Sequence, residues 1–310
     1  MQLNIISYLC SPKNKTETDI MARKAKSFKD QIKLLKKRGM IFDDEEKAEQ
    51  ILEDVGYYRL GFYWHYFQKD FRKHIFGENT RFSTVIDLYY LDVDLRFLLI
   101  KVLSRIEINL RTHIIYIVSN HYKNNPFWFA DKRIMKNQFV DTLDSFYIDI
   151  KKNNKVITEH HRKYPNDKYA PAWKTLEFMT LGSLYSLFTS LKDEDVKKEI
   201  ASKYGIRSVK IFDNYFKVIF NIRNICSHTR VLYDLNHYIA VSEKGVISIE
   251  KIEKNSLSAY IKVISYFLQQ ISANRADDFQ NSLKEIFIRH SDNEIIMEII
   301  KNKTKISLVD

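Results

Sequence analysis

Between Ser83 and Tyr122 an apolar residue recurs every three or four positions, through Leu95, Leu99, Val102, Ile106, Leu110 and Ile114, with no glycine or proline among them. A stripe of that period and length is buried by a long helix with other helices packed against it, so the spacing predicts a central core helix with at most one interruption. The rest of the chain agrees. Seven glycines and four prolines in 310 residues are too few for a fold built on many tight turns or for a glycine-rich phosphate cradle, and 45% hydrophobic residues suffice for a sizeable core. The expected fold class is all-α: a helical bundle with extra N- and C-terminal helices and one small β-hairpin.

Residues 1–26 carry no sustained period and read as a flexible N-terminal arm; 27–82 form an N-terminal helical region, 83–237 the helical core, and 238–310 a hairpin with C-terminal helices, with soft boundaries. Two short helices follow Ser27, the second with Asp43 as its expected N-cap. The aromatic run GYYRLGFYWHYFQ over 56–68 reads first as core, and the basic stretch KDFRKH follows it. HHRKYPNDKYAP over 160–171 reads as a polar loop. Its adjacent His160 and His161 point in different directions on any regular element, and no HExxH accompanies them, so no metal and no cofactor is expected. YIAVSEKGVISIE over 238–250 alternates about a Lys-Gly turn and is the one good hairpin candidate.

A net charge of +11 draws polyanions, namely RNA, DNA or an anionic membrane, although abundant lysine from an AT-rich genome explains it as well. Cys10 and Cys226 stand far apart, outside any CxxC pair, and no apolar run reaches membrane-spanning length. A cytoplasmic protein that makes no membrane contact is expected.

Chemistry concentrates in a helix predicted over 208–230. Ile211, Tyr215, Val218, Ile219, Ile222, Ile225 and Cys226 share the expected core face. Asn221, Arg223, Asn224, Ser227 and His228 take the other side, with Arg223 and His228 roughly 140° apart at about 100° per residue. Metal-free RNA cleavage needs a base for the 2′-hydroxyl proton, a donor for the leaving 5′-oxygen and positive charge on the phosphorane. Histidine and arginine supply these. DNA lacks the attacking hydroxyl, so the chemistry selects RNA.

The stretch NIRNICSHTRVLYD resembles the RNxCxH-xxR pattern of the Abi-like (abortive infection) family, whose members fall in the HEPN superfamily. KAKSFKDQIKLLKKRGMIFDDEEKAEQIL, GYYRLGFYW, LDVDLRFLLIKVLSRIEINLRTHI and PAWKTLEFMTLGSLYSLFTSL resemble the same family in the same order, covering about 27–235. Two departures stand out: Thr229 follows His228 where the family commonly has a second histidine, and Val231 separates Arg230 from Leu232. The resemblance implies a HEPN-like bundle, a metal-independent endoribonuclease in phage defence, a homodimer that brings two motifs together, and RNA partners that include a bound structured noncoding RNA. It names no antitoxin. Arg223, Asn224 and His228 are the catalytic candidates, and Arg230, Glu107 and Arg59 the RNA-binding or supporting ones. Each of the latter has a structural alternative: Arg230 on carbonyls at the helix end, Glu107 paired with Arg111, Arg59 packed on neighbouring tyrosines. The rival readings are a non-catalytic RNA-binding module and a protein-interaction module built on the same surface.

Overall fold

The computed structural model describes residues 25–233 and 239–306, which fall into two compact units, Met1–Ile86 and Asp87–Asp310. Apart from Ala25 and Lys26, the arm expected over 1–26 lies outside the described residues.

In the first unit, helix α1 (Phe28–Lys37) begins where Ser27 Oγ accepts from the Asp30 amide at 3.2 Å, and it ends on Lys36 and Lys37, where the helix dipole favours cations. Helix α2 (Glu45–Val55) is capped by Asp44, whose Oδ1 accepts from the Lys47 amide at 2.9 Å, and not by Asp43 as expected. Asp43 is held elsewhere, paired with Arg81 and accepting from Ser83 Oγ at 3.2 Å. Helix α3 (Tyr57–Trp64) buries Leu60, Tyr63 and Trp64, so part of the aromatic run is core, while Tyr58 and Phe62 are exposed. The basic stretch after it supplies the end of β1 and the turn of an antiparallel hairpin, β1 (Gln68–Asp70) with β2 (Ile75–Phe76). Asp70 Oδ1 closes that turn by accepting from the amides of Arg72 and Lys73 at 2.9 and 3.0 Å.

Helix α4 (Phe82–His121) runs 40 residues without interruption, about 60 Å at 1.5 Å per residue, and its stripe from Leu88 to Val118 is buried. The second unit continues through α5 (Asn137–Asn153), α6 (Lys155–Lys163), α7 (Ala172–Thr175) with a 3-10 turn at Leu176–Phe178, α8 (Leu181–Ser190), α9 (Glu194–Ser202), α10 (Val209–Ser227), α11 (Leu257–Ile271), α12 (Ala273–Arg289) and α13 (Glu294–Thr304). The expected polar loop is therefore partly helix, since His160 and His161 lie inside α6. They do diverge: His160 Nε2 is 3.0 Å from Asp167 Oδ2, whereas His161 Nε2 is 2.8 Å from Tyr147 Oη. No described helix is long and apolar enough to cross a membrane.

Helix α10 sits in an aromatic core. Phe188 of α8, Phe212 of α10 and Phe267 of α11 are buried with Tyr204, and the ring centroids lie 5.1 Å apart for Phe188–Phe212 and 4.9 Å for Tyr204–Phe267. The buried face is wider than the spacing predicts. Phe212 and Phe216 are buried while Ile211 is only half-buried, because α8, α9 and α11 all pack on this one helix.

The hairpin expected over 238–250 is not formed in its described residues. Side chains of α10 take up its backbone groups instead. Asn214 Nδ2 donates to the Ala240 carbonyl and its Oδ1 accepts from the Ser242 amide, both at 2.9 Å, while Tyr215 Oη accepts from the Ile247 amide at 3.4 Å. A backbone bonded to a helix has no need of a partner strand. Gly245 allows the close approach, because a Cβ there would overlap the Tyr215 hydroxyl. Gly245→Ala is expected to destabilise the protein by about 1–3 kcal/mol through overpacking, read as a fall in the urea midpoint.

Candidate active site at the end of helix α10

Helix α10 starts at its cap Ser208 and ends at Ser227, three residues earlier than the sequence suggests. His228 is the C-cap residue, Thr229 turns left-handed at φ 51°, and two amides close the end: Thr229 N–H to Cys226 O at 3.2 Å and Arg230 N–H to Ile225 O at 3.1 Å. This pair of bonds is a Schellman motif, which normally places glycine in the left-handed position. A β-branched residue there is strained. The reversal comes after His228, which still donates its amide to the Asn224 carbonyl at 3.0 Å and is exposed.

The chain beyond the turn is pinned to α4. Fully buried Asp92 accepts from the Leu232 amide through Oδ1 at 2.7 Å and pairs with Arg96 through Oδ2. Cys226 is buried beside this pair, and burial pushes its thiol up to about 12, with Arg96 pulling it down and Asp92 adding to the rise. It stays protonated at neutral pH, so the cysteine of the motif is a packing residue and no nucleophile.

Arg223 is held on two sides. Its Nε lies 3.4 Å from Glu107 Oε2, and its Nη1 donates to Asn224 Oδ1 at 3.2 Å. The other Glu107 oxygen, Oε1, accepts from Arg111 Nη2 at 2.9 Å, and Arg111 is itself fixed by donating to the Met179 carbonyl at 2.8 Å. The expected Glu107–Arg111 pair thus exists, and its carboxylate also serves Arg223. Glu107 is only 14% exposed and Arg223 30%, so the carboxylate is enclosed while part of the guanidinium reaches solvent. Two cations share one anion, which leaves a net positive charge on the same helix as the exposed His228, five residues before it.

Glu107, Arg223, Asn224 and His228 therefore belong to one locality of the second unit. The side chain of Asn224 is engaged with Arg223, and its backbone carbonyl accepts from the His228 amide at 3.0 Å. Arg230 contributes its amide to the helix end, and its exposed side chain has no ion pair among the described residues. Arg59 is in the first unit, where its guanidinium lies 5.7 Å from the Tyr63 ring centroid and donates to Tyr63 Oη at 3.3 Å, as the packing alternative requires. Among the described residues no group of three or more His, Cys, Asp or Glu is placed to hold a metal ion.

Residues 50–234, more than half of the chain, match the family of Abi-like proteins. The chain belongs to the Abi-like family. No curated protein and no solved structure matches it. The matched stretch of this Abi-like protein contains all six candidate residues and ends at Asp234, just past the pinned Leu232, and it connects the chain with abortive infection.

Asp92 is the structural residue of this Abi-like site that reading the sequence for chemistry passes over. Its signal is an acid and a base at i and i+4, Asp92 and Arg96, set among Leu88, Leu91, Leu95 and Leu99 on a buried stripe. The left-handed Thr229 yields a direct test. Thr229→Gly is expected to stabilise the protein by about 0.5–1 kcal/mol, because glycine adopts that conformation without a Cβ clash. Urea unfolding that shows no gain, or a loss, contradicts the strain.

Proposed function

We propose that this Abi-like protein is a HEPN-type, metal-independent endoribonuclease acting in abortive infection, with Arg223 binding the scissile phosphate and His228 moving the proton. The observation that carries the reading is a guanidinium braced at Nε and Nη1, with the exposed His228 five residues further on at the C-cap of the same helix. Bracing orients the remaining Nη2 donors toward an incoming phosphate and reduces the ordering that binding requires. A guanidinium that is already ordered stabilises negative charge as it develops on phosphorus.

In the reaction, an imidazole removes the 2′-hydroxyl proton and the 2′-oxygen bonds to phosphorus. The phosphorus bond to the 5′-oxygen breaks, and a second imidazole in its protonated form donates to that oxygen. A 2′,3′-cyclic phosphate and a 5′-hydroxyl result. One histidine cannot hold both positions at once, which favours a two-fold dimer in which the partner's His228 is the acid.

A surface suited to such a dimer adjoins Glu107. Tyr90, Phe97 and Ile108 of α4 point within about 20° of one direction at 100° per residue. All three are exposed, Phe97 to 71%. Lys101 and Ser104 are exposed between Phe97 and Ile108 on this face, so the surface is a mixed one of the kind that a non-obligate dimer buries. Phe97→Glu combined with Ile108→Glu is expected to turn a dimer into a monomer in light scattering and to abolish cleavage; a variant that stays dimeric rules out this face.

The chemistry is tested by incubating the protein with RNA in excess EDTA and identifying the new ends. Cleavage with 2′,3′-cyclic phosphate termini is expected, and His228→Ala should slow it by about 10²–10⁴-fold while keeping the fold. A wild-type protein that binds RNA but never cuts it would place this chain among non-catalytic RNA binders.

A further inference from the structure

Away from the motif, helices α6 and α7 border a cleft of about 690 Å³ lined by Lys155, Glu159, His160, Arg162, Lys163, Tyr164 and Lys174. Residues 151–174 hold seven Lys and Arg against two acids, so five of the chain's eleven excess positive charges fall in these 24 residues. The nearby carboxylates are already engaged: Glu159 by Arg162 at 2.7 Å, Asp167 by His160 at 3.0 Å and Asp144 by Lys168 at 2.9 Å. Lys155, Lys163 and Lys174 are left without a carboxylate partner among the described residues, and Lys163 Nζ lies 5.4 Å over the Tyr164 ring.

Local helix energetics explain part of this charge. Arg162 and Lys163 sit in the last turn of α6, where the dipole favours cations. Lys155 is different. It is the first residue of the same helix, where the dipole disfavours a positive charge and favours a bound anion. A second feature points to a ligand: the His160 side chain is 3% exposed, it lines the cleft, and its Nδ1 is buried without a hydrogen-bond partner. A buried polar atom in that state is costly unless something bonds to it.

We propose that this cleft is a second RNA-binding site, which holds the phosphodiester backbone of the strand whose scissile bond lies at Arg223 and His228. The inference rests on the ribonuclease reading and extends it. The cleft is tied to the catalytic locality through a short stretch of chain, since Lys174 is five residues from Met179, whose carbonyl anchors Arg111. Exposed Tyr164 and Trp173 add stacking faces for unpaired bases beside the lysines. A concave site with an enclosed imidazole suits a threaded strand better than the flat surface of an anionic membrane.

The test compares full-length His228→Ala protein, which should leave RNA intact, with the same protein carrying Lys155→Gln, Lys163→Gln and Lys174→Gln. Binding of a fluorescein-labelled single-stranded RNA is followed by anisotropy between about 50 and 200 mM salt. The triple substitution is expected to weaken binding more than about tenfold at the lower salt and to reduce the slope of log K against log salt by about 2, at about 0.7 per phosphate lost. Equal affinity and slope for the two proteins overturns the cleft and leaves the nuclease reading intact. A parent protein that binds no RNA overturns both. A parent that binds phosphatidylserine vesicles but not RNA, and loses the vesicles on triple substitution, assigns the cleft to a membrane and overturns the RNA site.

Discussion

Helix α4 carries charged side chains on the side it buries, and the rest of the candidate site is arranged to satisfy them. Asp92, Arg96 and Arg111 are buried and Glu107 nearly so. An ion taken out of water at such positions loses several kcal/mol of solvation unless partners replace it, and breaking one of these pairs costs about 3–5 kcal/mol. The partners come from the end of α10 and from the chain near it: the Leu232 amide for Asp92, Arg223 for Glu107 and the Met179 carbonyl for Arg111. Meeting these requirements sets where α10 ends against α4.

The consequence for chemistry is a positive charge in a defined place. A carboxylate shared by two guanidinium groups leaves one charge uncompensated, and the more exposed arginine of the two is the one next to Asn224. Helix α10 stops one residue before His228, and the left-handed Thr229 turns the chain back toward Asp92. Strain at one residue is tolerated because bonds on both sides hold it, the Schellman pair before the turn and the Asp92–Leu232 bond after it.

Much of the fold was legible from spacing. The long helix, the two short helices after Ser27 and the C-terminal helices all follow from apolar period and breakers, which act within one turn of chain. Two of the errors share one cause. The alternating residues near 238–250 have the period of a strand, yet Asn214 and Tyr215 on a distant helix bond that backbone first. Asp43 has the character of a cap, yet Arg81 draws it away and Asp44 caps instead. In each case a side chain remote in sequence outcompeted the local arrangement, and nothing within the local window could reveal it.

The candidate site divides along the same line. From residue types alone came Arg223, Asn224 and His228 on one short stretch, the Glu107–Arg111 pair at i and i+4, and an all-α fold to carry them, because these depend on helical geometry repeated every turn. Only the tertiary structure decided that Glu107 braces Arg223 across more than a hundred residues, that Asp92 ties down the chain beyond His228, and that Cys226 is enclosed. Those relations arise when two helices pack and their buried charges must find partners, and sequence spacing carries no record of which partners packing will bring within reach.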